Sequence, residues 1–274
     1  MSMSKVPFGL VLSGGGTRGA THIGVMKALQ EAGIRPDIIA GCSAGALIGA
    51  FFAAGHSAET TYTFFKETSL FSHPSFKLAK PGLFNAEKYL DDLAPFFPEN
   101  SFESLSIPLK IYSTDLISGR LIEHHSGELL RPVMASCCIP GIFTPIEMDG
   151  QLLSDGGIMS ILPVSPVRNI AEKILGVMIA LPAPEKSARQ IKHLHQVLDR
   201  ALTLAIYSKA ERELELCDWV IEPLEIGTFN MISKQNIEVM YETGYRYGME
   251  LIPEIMLSLN LPLAQCPESD FQSN

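Results

Sequence analysis

A chain of 274 residues with a formal net charge of −9 lacks the basic footprint of a nucleic-acid binder and the polybasic patch that anionic lipid attracts, so no nucleic-acid partner is expected. Its hydrophobic content of 46% fills one sizeable core, and no charge run or Pro/Ser-rich linker divides it; the expectation is a single domain over residues 6–260 and a frayed polar tail over 261–274. Five cysteines without a C-x-x-C pair, and an N-terminus without an apolar signal core, fit reduced thiols in a cytoplasmic protein that touches a membrane surface only transiently.

Residues 8–12 read as an apolar strand. The glycine-rich stretch Ser13-Gly14-Gly15-Gly16-Thr17-Arg18-Gly19 follows, and a helix runs over 18–32 to a C-cap at Gly33. Residues 37–40 form a second strand that enters Gly41-Cys42-Ser43-Ala44-Gly45, and the small apolar residues from Ala46 onward leave it as a helix. That pentapeptide is a G-x-S-x-G nucleophile elbow in the strand–turn–helix setting it requires. Residues 38–58 carry no Asp, Glu, Lys or Arg, a length that spans a bilayer, with Gly41, Gly45 and Gly49 at the spacing of paired transmembrane helices. The elbow inside that run, and polar Ser43, His56 and Ser57, favour a buried strand and a helix packed on a sheet.

A helix over 57–68 precedes a break at 69–84, where Pro74, Pro81 and Gly82 interrupt the pattern. Phe64, Phe65, Phe71, Phe76 and Phe84 punctuate this region; they either line the mouth of an apolar channel on a movable loop or plug the core. Asn85 caps a short helix to Leu93, 109–114 is a buried strand, and 128–135 is helical. Strands 146–148 and 151–153 flank Asp149-Gly150, a hairpin turn. After Asp155-Gly156-Gly157 come a buried strand over 174–180 and a long helix with Ile191, Leu194, Leu198, Ala201 and Ala205 on one face. The short strand Trp219-Val220-Ile221 and a second long helix, with Ile237, Tyr241, Gly244, Gly248, Ile252 and Ile255 inward, close the chain. Alternating strands and helices predict an α/β fold, a mostly parallel central sheet with helices on both faces.

The glycine loop, the elbow serine and the lone Asp-Gly-Gly, in that order, resemble the patatin-like phospholipase family. The stretch from Gly19 to Leu29 looks like the helix after that family's glycine loop. The segment Ala135-Ser136-Cys137-Cys138-Ile139-Pro140-Gly141-Ile142-Phe143-Thr144-Pro145 is similar to its Ser/Pro/Phe/Pro block. Short, bacterial-type single-domain members look most alike. Departures are few: Cys42 stands where threonine often precedes the serine, Thr21 where alanine is common, and Leu162 instead of Asn before Pro163.

The resemblance implies a Ser–Asp dyad, with Ser43 as nucleophile and Asp155 as general base, and a lipid or acyl-ester substrate. A carboxylate in an enclosed apolar site has its pKa raised by desolvation, which suits a base. Gly14, Gly15 and Gly16 offer consecutive unhindered N–H groups at a helix start, and the resemblance assigns them the oxyanion hole. Arg18, in the next turn, either anchors a phosphate head group or an elbow carbonyl, or makes a structural salt bridge. No metal or cofactor is expected, since the chain has neither H-E-x-x-H nor a calcium-loop spacing. Adjacent Cys137 and Cys138 read as small packing residues in preference to a redox pair.

Three rival readings compete. Asp155 with His193 or His195 would complete a Ser–Asp–His order, although both histidines fall on a helix. Gly14 to Gly19 also satisfies G-x-G-x-x-G, a dinucleotide fingerprint, with Asp37 near the spacing of a ribose-binding acid. A catalytically silent scaffold on the same fold is the third. Oligomeric state is not legible.

Overall fold

A computed structural model describes residues 5–68, 84–182, 191, 193–231 and 233–262. Strand β1 (Val6–Leu12) runs into the glycine loop, a 3-10 turn and helix α1 (Ala20–Glu31). Gly33, at φ 66°, closes α1: its N–H donates to Gln30 O and the Ile34 N–H to Leu29 O. Strand β2 (Ile38–Cys42) leads through the elbow into α2 (Ala44–Ala54), and Ser57 then caps α3 (Ala58–Glu67) by accepting from the Thr60 N–H. Past the break, Asn85 lies in the two-residue strand β3 (Phe84–Asn85), not at a helix cap. A 3-10 turn leads from it into the short α4 (Leu90–Leu93).

Strand β4 (Leu109–Asp115) turns back as β5 (Arg120–His124), a strand the apolar pattern does not announce because its residues are half-exposed and polar. Helix α5 (Leu130–Ser136) comes next, then β6 (Phe143–Thr144), which pairs with β3. The hairpin is present as β7 (Ile146–Met148) and β8 (Gln151–Asp155), with Asp149 at φ 51° and Gly150 at φ 76°. Beyond α6 (Ser165–Arg168) lie β9 (Ala171–Val177), α7 (Leu194–Leu214), β10 (Trp219–Ile221) and α8 (Ile237–Ser258).

The main sheet has the order β10-β9-β1-β2-β4-β8-β7, with β5 also on β4. The strands from β10 to β4 run parallel, while β5, β8 and β7 are antiparallel. Successive residues of β1, β2 and β4 are buried, so both faces of the sheet are covered, as a parallel sheet requires. The charge-free run 38–58 is therefore β2, the elbow and a buried α2; no helix among the described residues is long and apolar enough to cross a membrane.

Two helix readings change. The buried face of α7 is not 201/205, both of which are exposed. Ala210 is buried, and Ile206, Tyr207 and Leu214, also in the C-terminal half of the helix, pack on the core. Helix α8 buries Ile237, Gly244, Gly248, Ile252 and Ile255 of the expected stripe, leaves Tyr241 half-exposed, and also buries Met240, Thr243 and Met256. It meets α1 so closely that a Cβ on Gly244 would stand 1.9 Å from Thr21 O. That crossing holds the helix on which the glycine loop opens. Phe64 and Phe65 are core residues; Phe64 sits in a ring cluster with Phe51 and Phe96. Phe71 and Phe76, and the proposed channel mouth with them, lie outside the described residues, as does the tail from 263 on.

Candidate active site

The elbow puts Ser43 at φ 52°, ψ −122°, a backbone conformation that a non-glycine residue adopts only when its surroundings hold it there. Two glycines make the turn sterically feasible. A Cβ on Gly41 would lie 2.4 Å from Gly45 O, and one on Gly45 would lie 2.2 Å from Leu12 O. The Ser43 N–H donates to Ser136 Oγ at 2.8 Å, and Ser136 Oγ donates in turn to Tyr112 O at 2.6 Å. The Ser43 carbonyl starts α2 by accepting from the Ala46 and Leu47 N–H groups, and it also accepts from the Cys137 thiol at 3.3 Å.

Asp155 ends β8. Register brings it next to the elbow: along one edge of β4, Tyr112 pairs with Cys42 and the next residue, Ser113, with Asp155, while β5 takes the opposite edge. The chain then packs tightly beside β4 and β2: a Cβ on Gly156 would lie 2.3 Å from Tyr112 O and 3.0 Å from Cys42 Sγ. The Ser43 hydroxyl is near enough to the Asp155 carboxyl to pull its pKa down. Asp155 Oδ1 accepts from the Gly157 N–H at 2.8 Å and from the Cys42 thiol at 3.7 Å. Its own N–H donates to Cys138 O at 2.9 Å. Desolvation pushes the Asp155 carboxyl up to about 6, against the opposing pull of those donors. Cys137 and Cys138 are free thiols in separate contacts, the second with Met134 O and Thr144 O, as packing residues would be.

The glycine loop reaches the same spot. A Cβ on Gly14 would sit 3.1 Å from Ser43 Cβ. The Gly14 N–H, however, donates to Ile161 O at 3.0 Å, which removes it from the expected donor set. The Gly15 and Gly16 N–H groups meet no carbonyl among the described residues. Gly16 stands at φ 59°, and a Cβ there would run into Met231 O at 2.2 Å. His22 supports the loop from below: it is buried, pushed down to about 4 by desolvation, and its Nε2–H donates to Ser13 O at 2.8 Å.

Arg18 acts here as a structural tie through backbone carbonyls. It is buried, and its five N–H groups donate to the carbonyls of Phe229, Ile179, Leu181 and Gly227. It ties the loop to the segments after β9 and before α8. His193 stands at the N-cap of α7 and is exposed, and the side chain of His195 lies outside the description. The groups bonded to the Asp155 carboxylate are Ser43, Gly157 and Cys42. Asp37 sits at the amino ends of β1 and β2, where its carboxylate accepts from the Phe8 N–H at 2.8 Å. The glycine loop is at the other end of β1, so Asp37 cannot serve a ribose held there. Sequence reading passed over Ser136 as an individual residue; its only signal was membership in the Ser/Pro/Phe/Pro block.

An elbow serine and a buried aspartate meet at one end of a mostly parallel α/β sheet. The patatin-like phospholipase family model matches residues 10–168, more than half of the chain, and the chain belongs to that family. An uncharacterized NTE family protein of Mycobacterium tuberculosis is 38% identical over 166 residues, 59% of this chain and 45% of its own length. Patatin-like phospholipase domain-containing protein 6 of Mus musculus is 36% identical, with 87% of this chain and 20% of the relative covered. The chain thus spans less than half the length of these relatives. Among solved structures, VipD from Legionella pneumophila shares the fold with a TM-score of 0.51 at 13% identity, covering 92% of this chain and 68% of VipD.

Proposed function

We propose that the chain is a serine acyl hydrolase acting on lipid esters, of phospholipase A or lysophospholipase type, through a Ser43–Asp155 dyad. The observation that carries this reading is the contact between a strained elbow serine and a buried carboxylate whose pKa is lifted to about 6. Ionised Asp155 takes the Ser43 proton as Oγ attacks the acyl carbonyl. In this reading the Gly15 and Gly16 N–H groups stabilise the alkoxide that develops, and the start of α2 adds its dipole. Protonated Asp155 then returns the proton to the leaving alcohol oxygen. Water, activated by the same carboxylate, releases the acyl group from Ser43. Family membership supports a lipid substrate. With a net charge of −9, contact with a membrane surface would be apolar and transient.

Fluorophosphonate labelling and p-nitrophenyl ester hydrolysis, on wild type and Ser43→Ala, test this reading. The wild type should label on Ser43 and hydrolyse the ester, and Ser43→Ala should do neither while keeping its fold. Labelling at another serine, or none in the folded wild type, would overturn the proposal.

A further inference from the structure

Cys42 occupies the second position of the elbow, ends β2 and is fully buried. Its Sγ lies 3.7 Å from Asp155 Oδ1, the oxygen that also accepts from the Gly157 N–H at 2.8 Å. The thiol has little room to move, because Gly156 is packed against Sγ. A carboxylate oxygen has about two lone-pair sites. Two fixed donors therefore fill Oδ1 and leave Oδ2 as the open acceptor.

We propose that Cys42 is a positioning residue for the base: its S–H donates to Asp155 Oδ1, fixes the carboxylate plane and leaves Oδ2 to take the Ser43 proton. This deepens the dyad reading and rests on it. In the acylation step the Ser43 O–H bond breaks, its proton passes to Oδ2, and Oγ bonds to the acyl carbon; the ester C–O bond then breaks and the leaving alcohol oxygen takes that proton back from Oδ2. Cys42 keeps its proton throughout. The other titratable groups facing Asp155 are the thiols of Cys137 and Cys138 at the end of α5; burial pushes all three thiols up, so they stay neutral. The donors and the apolar enclosure thus set where the carboxyl titrates. Serine in place of Cys42 supplies a stronger donor, and alanine supplies none.

The test is the titration of the Asp155 carboxyl carbon by NMR in the full chain with 13C-labelled aspartate, assigned with Asp155→Asn. It is run on wild type, Cys42→Ser and Cys42→Ala, beside the pH profile of kcat/KM on a soluble ester. The midpoints should fall in the order Ser, Cys, Ala from low to high, with steps of roughly half to one pH unit for a hydrogen bond to a charged group. The acidic limb of kcat/KM should move with them at unchanged KM. A packing role alone would lower the melting temperature without ordering the midpoints. Equal midpoints, or the reverse order, would overturn the proposal. If Cys42→Ala does not fold, Cys42→Ser decides by itself, since it exchanges only sulfur for oxygen. The NMR titration needs no turnover, so a failure of labelling at Ser43 would sink the dyad reading while the carboxyl titration still judges Cys42.

Discussion

Ser136 Oγ accepts the N–H of Ser43 at 2.8 Å and donates to Tyr112 O at 2.6 Å, so one buried hydroxyl fastens the elbow to the neighbouring strand. Two residues on, the Cys138 carbonyl accepts from the Asp155 N–H and from Ser154 Oγ. The end of α5 therefore grips both halves of the proposed dyad.

Ser136→Ala leaves two buried backbone groups without their side-chain partner, at a cost of about 1–3 kcal/mol each. It also releases a strained nucleophile. We expect kcat/KM to fall by roughly 10²-fold, the scale of a misplacement of about 1 Å. Ser136→Thr, which keeps the hydroxyl, should retain most of the rate. Comparing ester hydrolysis and fluorophosphonate labelling rates of the two variants checks this; equal rates in wild type and Ser136→Ala would refute it.

The Asp155 carboxyl has its folded pKa lifted from 3.8 to about 6 by desolvation. As the required base, it should give kcat/KM an acidic limb centred near pH 6, with activity rising as the pH rises. Stability moves the other way. Between pH 3.8 and 6 the folded protein holds a proton that the unfolded chain has released, so stability falls as the pH rises through that window. Asp155→Asn should then be inactive yet more stable than wild type at pH 7, by up to roughly 3 kcal/mol. That advantage should vanish below about pH 4. Urea titrations at the two pH values measure it.

Arg18 fills four carbonyls from two segments. Lysine offers three rotatable donors and no planar fork. Arg18→Lys should destabilise the fold by about 3 kcal/mol or more, with several buried carbonyls left unpaired. Its KM ratio between a phospholipid and a p-nitrophenyl ester should match that of the wild type. A selective rise in the phospholipid KM would restore the head-group role.

Ser43 at φ 52° carries strain that glycine relieves and alanine does not. Ser43→Gly should exceed Ser43→Ala in unfolding free energy by about 1 kcal/mol, both variants being unable to label. Denaturant unfolding of the pair decides it, and an equal or lower stability of the glycine variant would show an unstrained elbow.

What the sequence determined is local. A strand, a turn that needs glycines and a helix are adjacent in the chain, so the elbow at Ser43, the hairpin at Asp149-Gly150 and the loop at Gly14 to Gly16 are written in neighbouring residues. The family resemblance rested on the same short motifs. Tertiary structure decided whatever depends on register between distant strands. Consecutive residues Tyr112 and Ser113 of β4 bring Cys42 and Asp155 together along one edge, and no periodicity encodes that pairing. Strand β5, half-exposed and bearing charged residues, gives a weak signal. The commitment of the Gly14 N–H to Ile161 and of Arg18 to carbonyls near Phe229 follows the same rule. Buried donors must find acceptors, and which acceptor is nearest is fixed only when far segments of the chain pack together.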